Sequence, residues 1–324
     1  VKRKDARVRY RSGFFGVADE KFKTAPVNQT PMQQILAALT SPFATNGISL
    51  RLNTLFGNDV RHGSFVRSLL HVNAKDLKFV EEADGNHKAV FDVMAVSFGD
   101  NGAVVDQIAK TYTMRVKGDA YKKIINEGFV YHFSFPVKKA GAYQYRVAIR
   151  DSETQKVGSA NQFIEVPNLK KERLTVSGIV LENLTSAQWQ RILAVTPVSA
   201  GSTENAALDT TDPMTDTSLR QFKRGTILRY AFEIYNAKLD TARKPNLTAQ
   251  LKVFRDGKPI LEGKNSPVET SGQTDFQRLK SAGAISLGGV MQTGDYVLQI
   301  IVTDNLAKEK RKIATQFVQF EIVE

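Results

Sequence analysis

The sequence predicts a mainly β chain made of two tandem antiparallel β-sandwiches with a few short helices. Three observations carry that reading. The stretch GAYQYRVAIRD (141–151) returns as GDYVLQIIVTD (294–304). Each copy runs through a polar turn into a second apolar strand, so the repeated unit is a whole hairpin closing each half of the chain. Upstream of both copies, further alternating segments are separated by turn signals.

Within the first copy Tyr143, Tyr145, Val147 and Ile149 share one face, and Gln144, Arg146 and Arg150 are expected to face water on the other. The second copy places Tyr296, Leu298, Ile300 and Val302 on its inner face. Gly-x-Tyr opens both copies and Asp closes both at the same distance. The following strands match as well, with Ala160-Asn161-Gln162-Phe163 against Ala314-Thr315-Gln316-Phe317. The Gly-x-Tyr start resembles the penultimate strand of immunoglobulin- and fibronectin-like sandwiches, in which a Tyr hydroxyl bonds back to upstream backbone. Tyr143 and Tyr296 are therefore assigned that structural role.

In the first half, strands are expected at 48–57, 64–72, 88–98, 106–116 and 129–135, then the hairpin; GDNG at 99–102 separates two of them. Helices are expected at 32–39, after Pro31, and at 120–128, ending on Gly128. The second half reads as strands at 174–181, 226–236 and 248–263, the last folded at Asp256-Gly257, then the final hairpin. The predicted division is a basic extension over 1–30 from the end of an upstream domain, a first sandwich over 31–169 and a second over 170–324. The polar connector near 167–171 sets the boundary. The stretch SAGSTENAALDTTDPMTDTS (199–218) holds four acids and no base, and is expected to be a long acidic loop. Trp189, just before it, is read as a core or loop anchor. Val297 and Ile301 suggest that the outer sheet of the second sandwich is partly covered.

At 324 residues, 42% apolar and 24% charged, the chain can bury two cores. Its apolar runs are too short for a membrane span, and no secretory signal is apparent. The start at Val1 is read as that of a mature or excised fragment. With no Cys, disulfides, thiolate metal sites and a Cys nucleophile are excluded. Net charge is +12, and residues 1–25 alone hold eight Lys and Arg against three acids. Such an excess can steer an anionic polymer, although charge alone carries no specificity.

Little in the sequence points to chemistry. His62, His71, His87 and His132 share no metal-ligand spacing, and His71 and His132 are read as half-buried strand residues. No nucleophile elbow, phosphate-binding loop or dinucleotide fingerprint is present. Glu81, Glu82 and Asp84 form an acidic cluster read as a solvated turn. Asp209, Asp212 and Asp216 match no calcium loop. No catalytic, metal or cofactor-binding residue is assigned, and no cofactor is expected. The weak binding candidates are Lys308, Lys310, Arg311 and Lys312 of KEKRK, at the tip of the last hairpin; such a tip also discourages edge pairing.

Three stretches, VKRKDARVRYRSGFFG (1–16), YRVAIRDSETQKVGSANQFIEVPNLKKERLTVSGIVL (145–181) and YAFEIYNA (230–237), resemble the acidobacterial von Willebrand factor A-related family, in the region after the A domain. The resemblance implies a secreted or periplasmic protein with an A domain upstream in the same polypeptide. The metal-site motif of that domain, Asp-x-Ser-x-Ser, is absent here, so the resemblance assigns no metal-dependent adhesion to these residues. The expected function is a non-catalytic structural and partner-binding region outside the cytoplasm, with protein partners. The alternative is salt-sensitive binding of an anionic polymer, nucleic acid or surface glycan, through 1–11 and 308–312. Nucleic acid is disfavoured because aromatic residues are not interleaved with most of the basic residues. An enzyme ranks last, and would need a pocket gathering two carboxylates.

Overall fold

The computed structural model describes residues 29–195, 215–288 and 291–324. Residues 1–28 of the basic extension, Asp209 and Asp212 lie outside the described residues, as does nearly all of the acidic stretch.

The first half opens with helix α1 (Pro31–Thr40), followed by strands β1 (Leu50–Asp59), β2 (Gly63–Val72), β3 (Val80–Glu81), β4 (His87–Phe98) and β5 (Val104–Val116). Helix α2 (Gly118–Glu127) then leads into β6 (Phe129–Pro136), β7 (Gly141–Asp151) and β8 (Val157–Val166). One sheet runs β1-β2-β6; the other runs β5-β4-β7-β8, with β3 against the start of β4. Between them lie Phe56, Val66, Leu70, Phe91, Phe135, Tyr145 and Ile149, all buried. These are the alternate positions that the strand period turns inward.

The second half contains β9 (Thr175–Val176), β10 (Val180–Leu184), helix α3 (Ser186–Val195), helix α4 (Thr215–Leu219), β11 (Gln221–Lys223), β12 (Ile227–Tyr235) and β13 (Leu247–Arg255). It finishes with β14 (Lys258–Glu262), β15 (Ser266–Pro267), β16 (Arg278–Ser286), β17 (Gly294–Asp304) and β18 (Ile313–Val323). One sheet runs β10-β12-β16 with β9 on β12, the other β11-β18-β17-β13-β14 with β15 on β13. The long strands connect as in the first half. The turn at Asp256-Gly257 has positive φ at both residues (51° and 73°), the conformation that a two-residue hairpin of this kind demands.

The repeat has a physical reason at each end. Tyr143 donates its hydroxyl to the Lys139 carbonyl at 2.6 Å, and Tyr296 donates to the Gln292 carbonyl at 2.6 Å. At the far end Asp151 is fully buried and accepts from the Thr154 N–H (2.7 Å) and from the Lys78 N–H (2.9 Å). Asp304 is likewise buried, accepting from the Leu306 N–H (3.0 Å) and the Lys238 N–H (2.8 Å). In each copy the Asp closes its own hairpin and ties down the loop that follows β2 or β12. Buried backbone donors need such partners.

The outer face of β7 departs from the sequence expectation. Arg146 is half-buried and Arg150 is 6% exposed, because α1 lies across them. Ile35, Ala38 and Leu39 of the helix pack on Met94, Val96 and Ala148, so both faces of β4 and β7 are covered. Arg146 Nη1 donates to the Leu39 (2.6 Å) and Ser41 (3.2 Å) carbonyls, answering the end of a helix that has no basic residue in its last turn. Arg150 bonds Gln34 Oε1 at 2.6 Å and pairs with Asp92 at 3.4 Å. Charge-assisted bonds of this kind contribute about 1.5–3 kcal/mol. Arg146→Met should therefore speed amide exchange in α1 by about tenfold or more while leaving β1 and β2 protected; equal rates in both proteins would refute the role.

Several second-half elements also differ from expectation. The strand expected at 174–181 breaks at Ser177-Gly178-Ile179, where the chain meets the first sandwich. The Gly178 N–H donates to the Phe56 carbonyl at 3.0 Å, and a Cβ at Gly178 would lie 2.9 Å from Leu55 Cδ2. β16 has a weak apolar alternation, RLKSAGAIS, and α3 and α4 lie beside the acidic stretch; none of the three was expected. Residues 215–218 belong to α4, with Thr217 and Ser218 buried, so the loop expected over 199–218 does not run to 218.

The two sandwiches meet through Tyr235. Although it ends β12, its ring belongs to the first core, edge-on to Phe56 at 5.9 Å. Its hydroxyl accepts from the Asn58 N–H (3.0 Å) and donates to Glu233 Oε2 (2.6 Å). Arg278 Nε donates to Asn58 Oδ1 at 2.8 Å, and the Asn53 side chain donates to the Ser218 carbonyl.

Candidate functional site

The described residues shape three clefts worth weighing as sites. The first holds the candidates from the sequence. Lys308, Lys310 and Arg311 are exposed and line an open cleft of about 1260 Å³ together with Lys170 and Lys238. The connector between the sandwiches, which turns through a 3-10 segment at Leu169–Lys171, forms the opposite wall. Lys312 is not part of this lining; its ammonium pairs with Glu309 at 3.2 Å. Glu172, Asp304 and Glu309 also line the cleft, with the carboxylate oxygens of Asp304 occupied by the backbone donors named above. No aromatic residue lines it, so it has no platform on which bases could stack. Exposed ammonium groups can hold an anionic group here, by an attraction that salt screens.

The second cleft is the junction beside Tyr235, about 410 Å³, lined among others by Asp59, Arg67, Glu233 and Lys280. Its two carboxylates are already engaged. Glu233 holds the Tyr235 hydroxyl, and Asp59 accepts from the His62 N–H (2.5 Å) and the Arg61 N–H (2.8 Å). The bonds from His62 keep Asp59 below the ordinary carboxylate range, the reverse of what a general acid needs. Burial, then the Glu233 carboxylate, push the Tyr235 phenol far up, so it stays a neutral donor.

The third is a groove of about 690 Å³ between the ends of β8 and β18, into which Phe163 and Phe317 project. These two residues occupy equivalent places in the repeat, and each is 65% exposed. The strand period gives their phase: Phe163 shares its strand face with Asn161 and Glu165, the outward set.

The remaining candidates are scattered. Glu82 is no solvated turn residue, since it pairs with Arg115 at 2.9 Å and with Lys88 at 3.7 Å. Asp84 instead takes the Asn86 backbone and side-chain donors. Asp216 falls within α4. No group of three His, Asp or Glu that could hold a metal ion occurs among the described residues, and none of their helices is long and apolar enough to cross a membrane. Trp189 is half-buried on α3. His132 is exposed rather than half-buried, whereas His71 is 9% exposed, with Nε2 2.8 Å from the Glu127 carbonyl.

Desolvation holds the His71 pKa below its ordinary 6.5. The unfolded chain then takes up a proton at a higher pH than the folded one. Stability is thus unaffected above the unfolded value and falls as pH drops from there toward the folded value. Urea unfolding from pH 7.5 to 5 should show this decline, and His71→Gln should flatten it.

No family model matches the chain, and no curated protein does. Among solved structures it is similar to a Bacteroides uniformis β-glucuronidase 2 covalently bound to cyclophellitol-6-carboxylate aziridine, with 13% identity and a TM-score of 0.21. A Bacteroides uniformis β-glucuronidase matches with 14% identity and a TM-score of 0.22. Each match covers 36% of this chain and 13% of the other. A Parabacteroides merdae β-glucuronidase matches over 80% of this chain and 27% of its own, with 11% identity and a TM-score of 0.26. This chain thus spans about a quarter or less of these structures, and at such scores nothing of their chemistry carries over.

Proposed function

We propose that the chain is a non-catalytic structural and partner-binding pair of immunoglobulin-type sandwiches from an extracytoplasmic protein related to von Willebrand factor A proteins. The observation that carries this reading is the Tyr235 junction. A buried, hydrogen-bonded aromatic from a strand of the second sandwich, seated in the core of the first, joins the sandwiches into one presenting surface, which suits a module that holds partners at a set geometry. The duplicated hairpin supports it, because both copies place their Tyr and Asp in structural bonds, leaving loops and strand edges for recognition.

Two measurements test it. Cell fractionation with intact-mass analysis of the native protein should find it outside the cytoplasm, in a polypeptide that also contains an A domain. A cytoplasmic protein without that domain would refute the assignment. Incubation with chromogenic glucuronides and galactosides should give no turnover; hydrolysis that survives repurification would replace the non-catalytic reading with an enzymatic one.

A second reading is favoured by one feature, the convergence of Lys170, Lys238, Lys308, Lys310 and Arg311 on one cleft. It takes an anionic polymer as ligand. Heparin or duplex DNA should then bind at low salt and be released as salt rises, with log affinity falling linearly in log salt. Exchanging Lys308, Lys310 and Arg311 for Ala should shallow that slope; an unchanged slope would dismiss the cleft.

A further inference from the structure

The groove between β8 and β18 has an unfinished sheet edge as one wall. β11 pairs in parallel with the end of β18, Gln221 beside Glu321 and Lys223 beside Val323. Just before β11 the chain turns away. Arg220 accepts the Glu321 N–H through its carbonyl at 2.8 Å, takes φ of 55°, and leads back into α4. The β18 edge from Ile313 to Gln319 therefore has no strand hydrogen-bonded to it among the described residues; β9, which pairs with β12, lies across the groove from it. The Phe317 N–H is met by the neighbouring Gln316 carboxamide at 3.1 Å, a local bond that an incoming strand would replace.

Two polar features at this place lack partners. Arg220 lines the groove, and no carboxylate or other acceptor meets its guanidinium among the described residues. Burial, and then Arg51, push its pKa down to about 10, so its charge is held at a cost that an anion would relieve. Thr54, also in the lining, is 4% exposed, and its Oγ1 has no hydrogen-bond partner. Glu165 is the carboxylate among the lining residues, and it is exposed on the β8 wall. Ile313, at 61% exposure, adds to the apolar surface of Phe163 and Phe317.

We propose that this groove docks an extended acidic segment of a partner protein, which adds to the open edge of β18 between Phe163 and Phe317 and sets a carboxylate on Arg220. The inference rests on the partner-binding reading above and names the surface and the partner chemistry. Backbone pairing with the edge supplies affinity, and the aromatic walls and the guanidinium supply selection. A strand running parallel to β18, as β11 does, would bring its C-terminal end to Arg220.

Selection of a displayed library of random linear peptides on the intact chain tests this. Enriched peptides should alternate apolar and polar residues and carry Asp or Glu near one end. Arg220→Gln and Phe317→Glu should each weaken them by about tenfold or more, as loss of a charge-assisted bond predicts. Neither side chain belongs to a core, so neither variant should melt below wild type. Selection on Arg220→Glu should turn the preference to Lys or Arg at the same end. Peptides that bind wild type and both variants alike would overturn the groove while leaving the partner-binding reading in place. Failure to enrich any peptide would also overturn the groove. The partner-binding reading itself falls by a different result, turnover of the chromogenic glycosides.

Discussion

Tyr235→Ala should destabilise the first sandwich, although the substitution lies on a strand of the second. The ring fills space against Phe56 inside the first core, and removing a buried aromatic costs about 3–5 kcal/mol. The Asn58 N–H and the Glu233 carboxylate would lose their partner as well. Tyr235→Phe keeps the ring and removes only the hydroxyl, at about 1–3 kcal/mol. In urea, wild type should unfold in one transition, whereas Tyr235→Ala should show the first sandwich unfolding earlier. Amide exchange would assign the early transition to β1, β2 and β6. Loss confined to the second sandwich would show that the junction does not carry this coupling.

The second large effect is expected at the two closing aspartates. Asp151→Ala leaves the Thr154 N–H and hydroxyl, the Glu153 N–H and the Lys78 N–H without the fully buried carboxylate that accepts from them. Each orphaned buried donor costs about 1–3 kcal/mol where water cannot reach it, so a loss on the order of 3 kcal/mol or more is expected. Asp304→Ala removes the acceptor of the Leu306 and Lys238 N–H groups and should cost less. Asn at either position keeps one acceptor oxygen and should recover part of the loss. Chemical denaturation of the four variants gives the ranking, and equal losses for Asp151→Ala and Asp304→Ala would contradict the difference in donor count.

Much of this architecture is legible in the sequence, because β7, β8, β17 and β18 have one face on a core and one toward water or a thin cover, which writes a period of two. The strands that escaped reading lack that contrast. β16 reads RLKSAGAIS, with small residues where a core face would carry large ones; Gly283 lies under the Tyr230 ring, so that close approach replaces a side chain. β11 is too short to show any period. Arg146 and Arg150 differ from the pattern's expectation for another reason. Period alone cannot tell water from a helix laid over an outer face, and their partners in α1 are more than a hundred residues away. The basic candidates near 308–312 are visible as a charge run, but their convergence with Lys170 and Lys238 depends on how the connector folds. The groove residues were the least legible. Arg220 is the first of three bases that follow an acidic stretch, and its place at the end of an open strand edge follows from tertiary structure alone.

The Tyr235 junction also orders events during synthesis. The first sandwich leaves the ribosome well before the second, yet Asn58 waits for a hydroxyl 177 residues downstream. Until β12 has emerged, Phe56 and its neighbours present an uncovered apolar face with an unmet N–H. The nascent chain therefore passes through a long interval with its first core unfinished, open to chaperones and to wrong pairings. A stop placed after residue 169 would preserve that interval permanently, releasing a sandwich that has every one of its strands and still lacks a piece of its own interior.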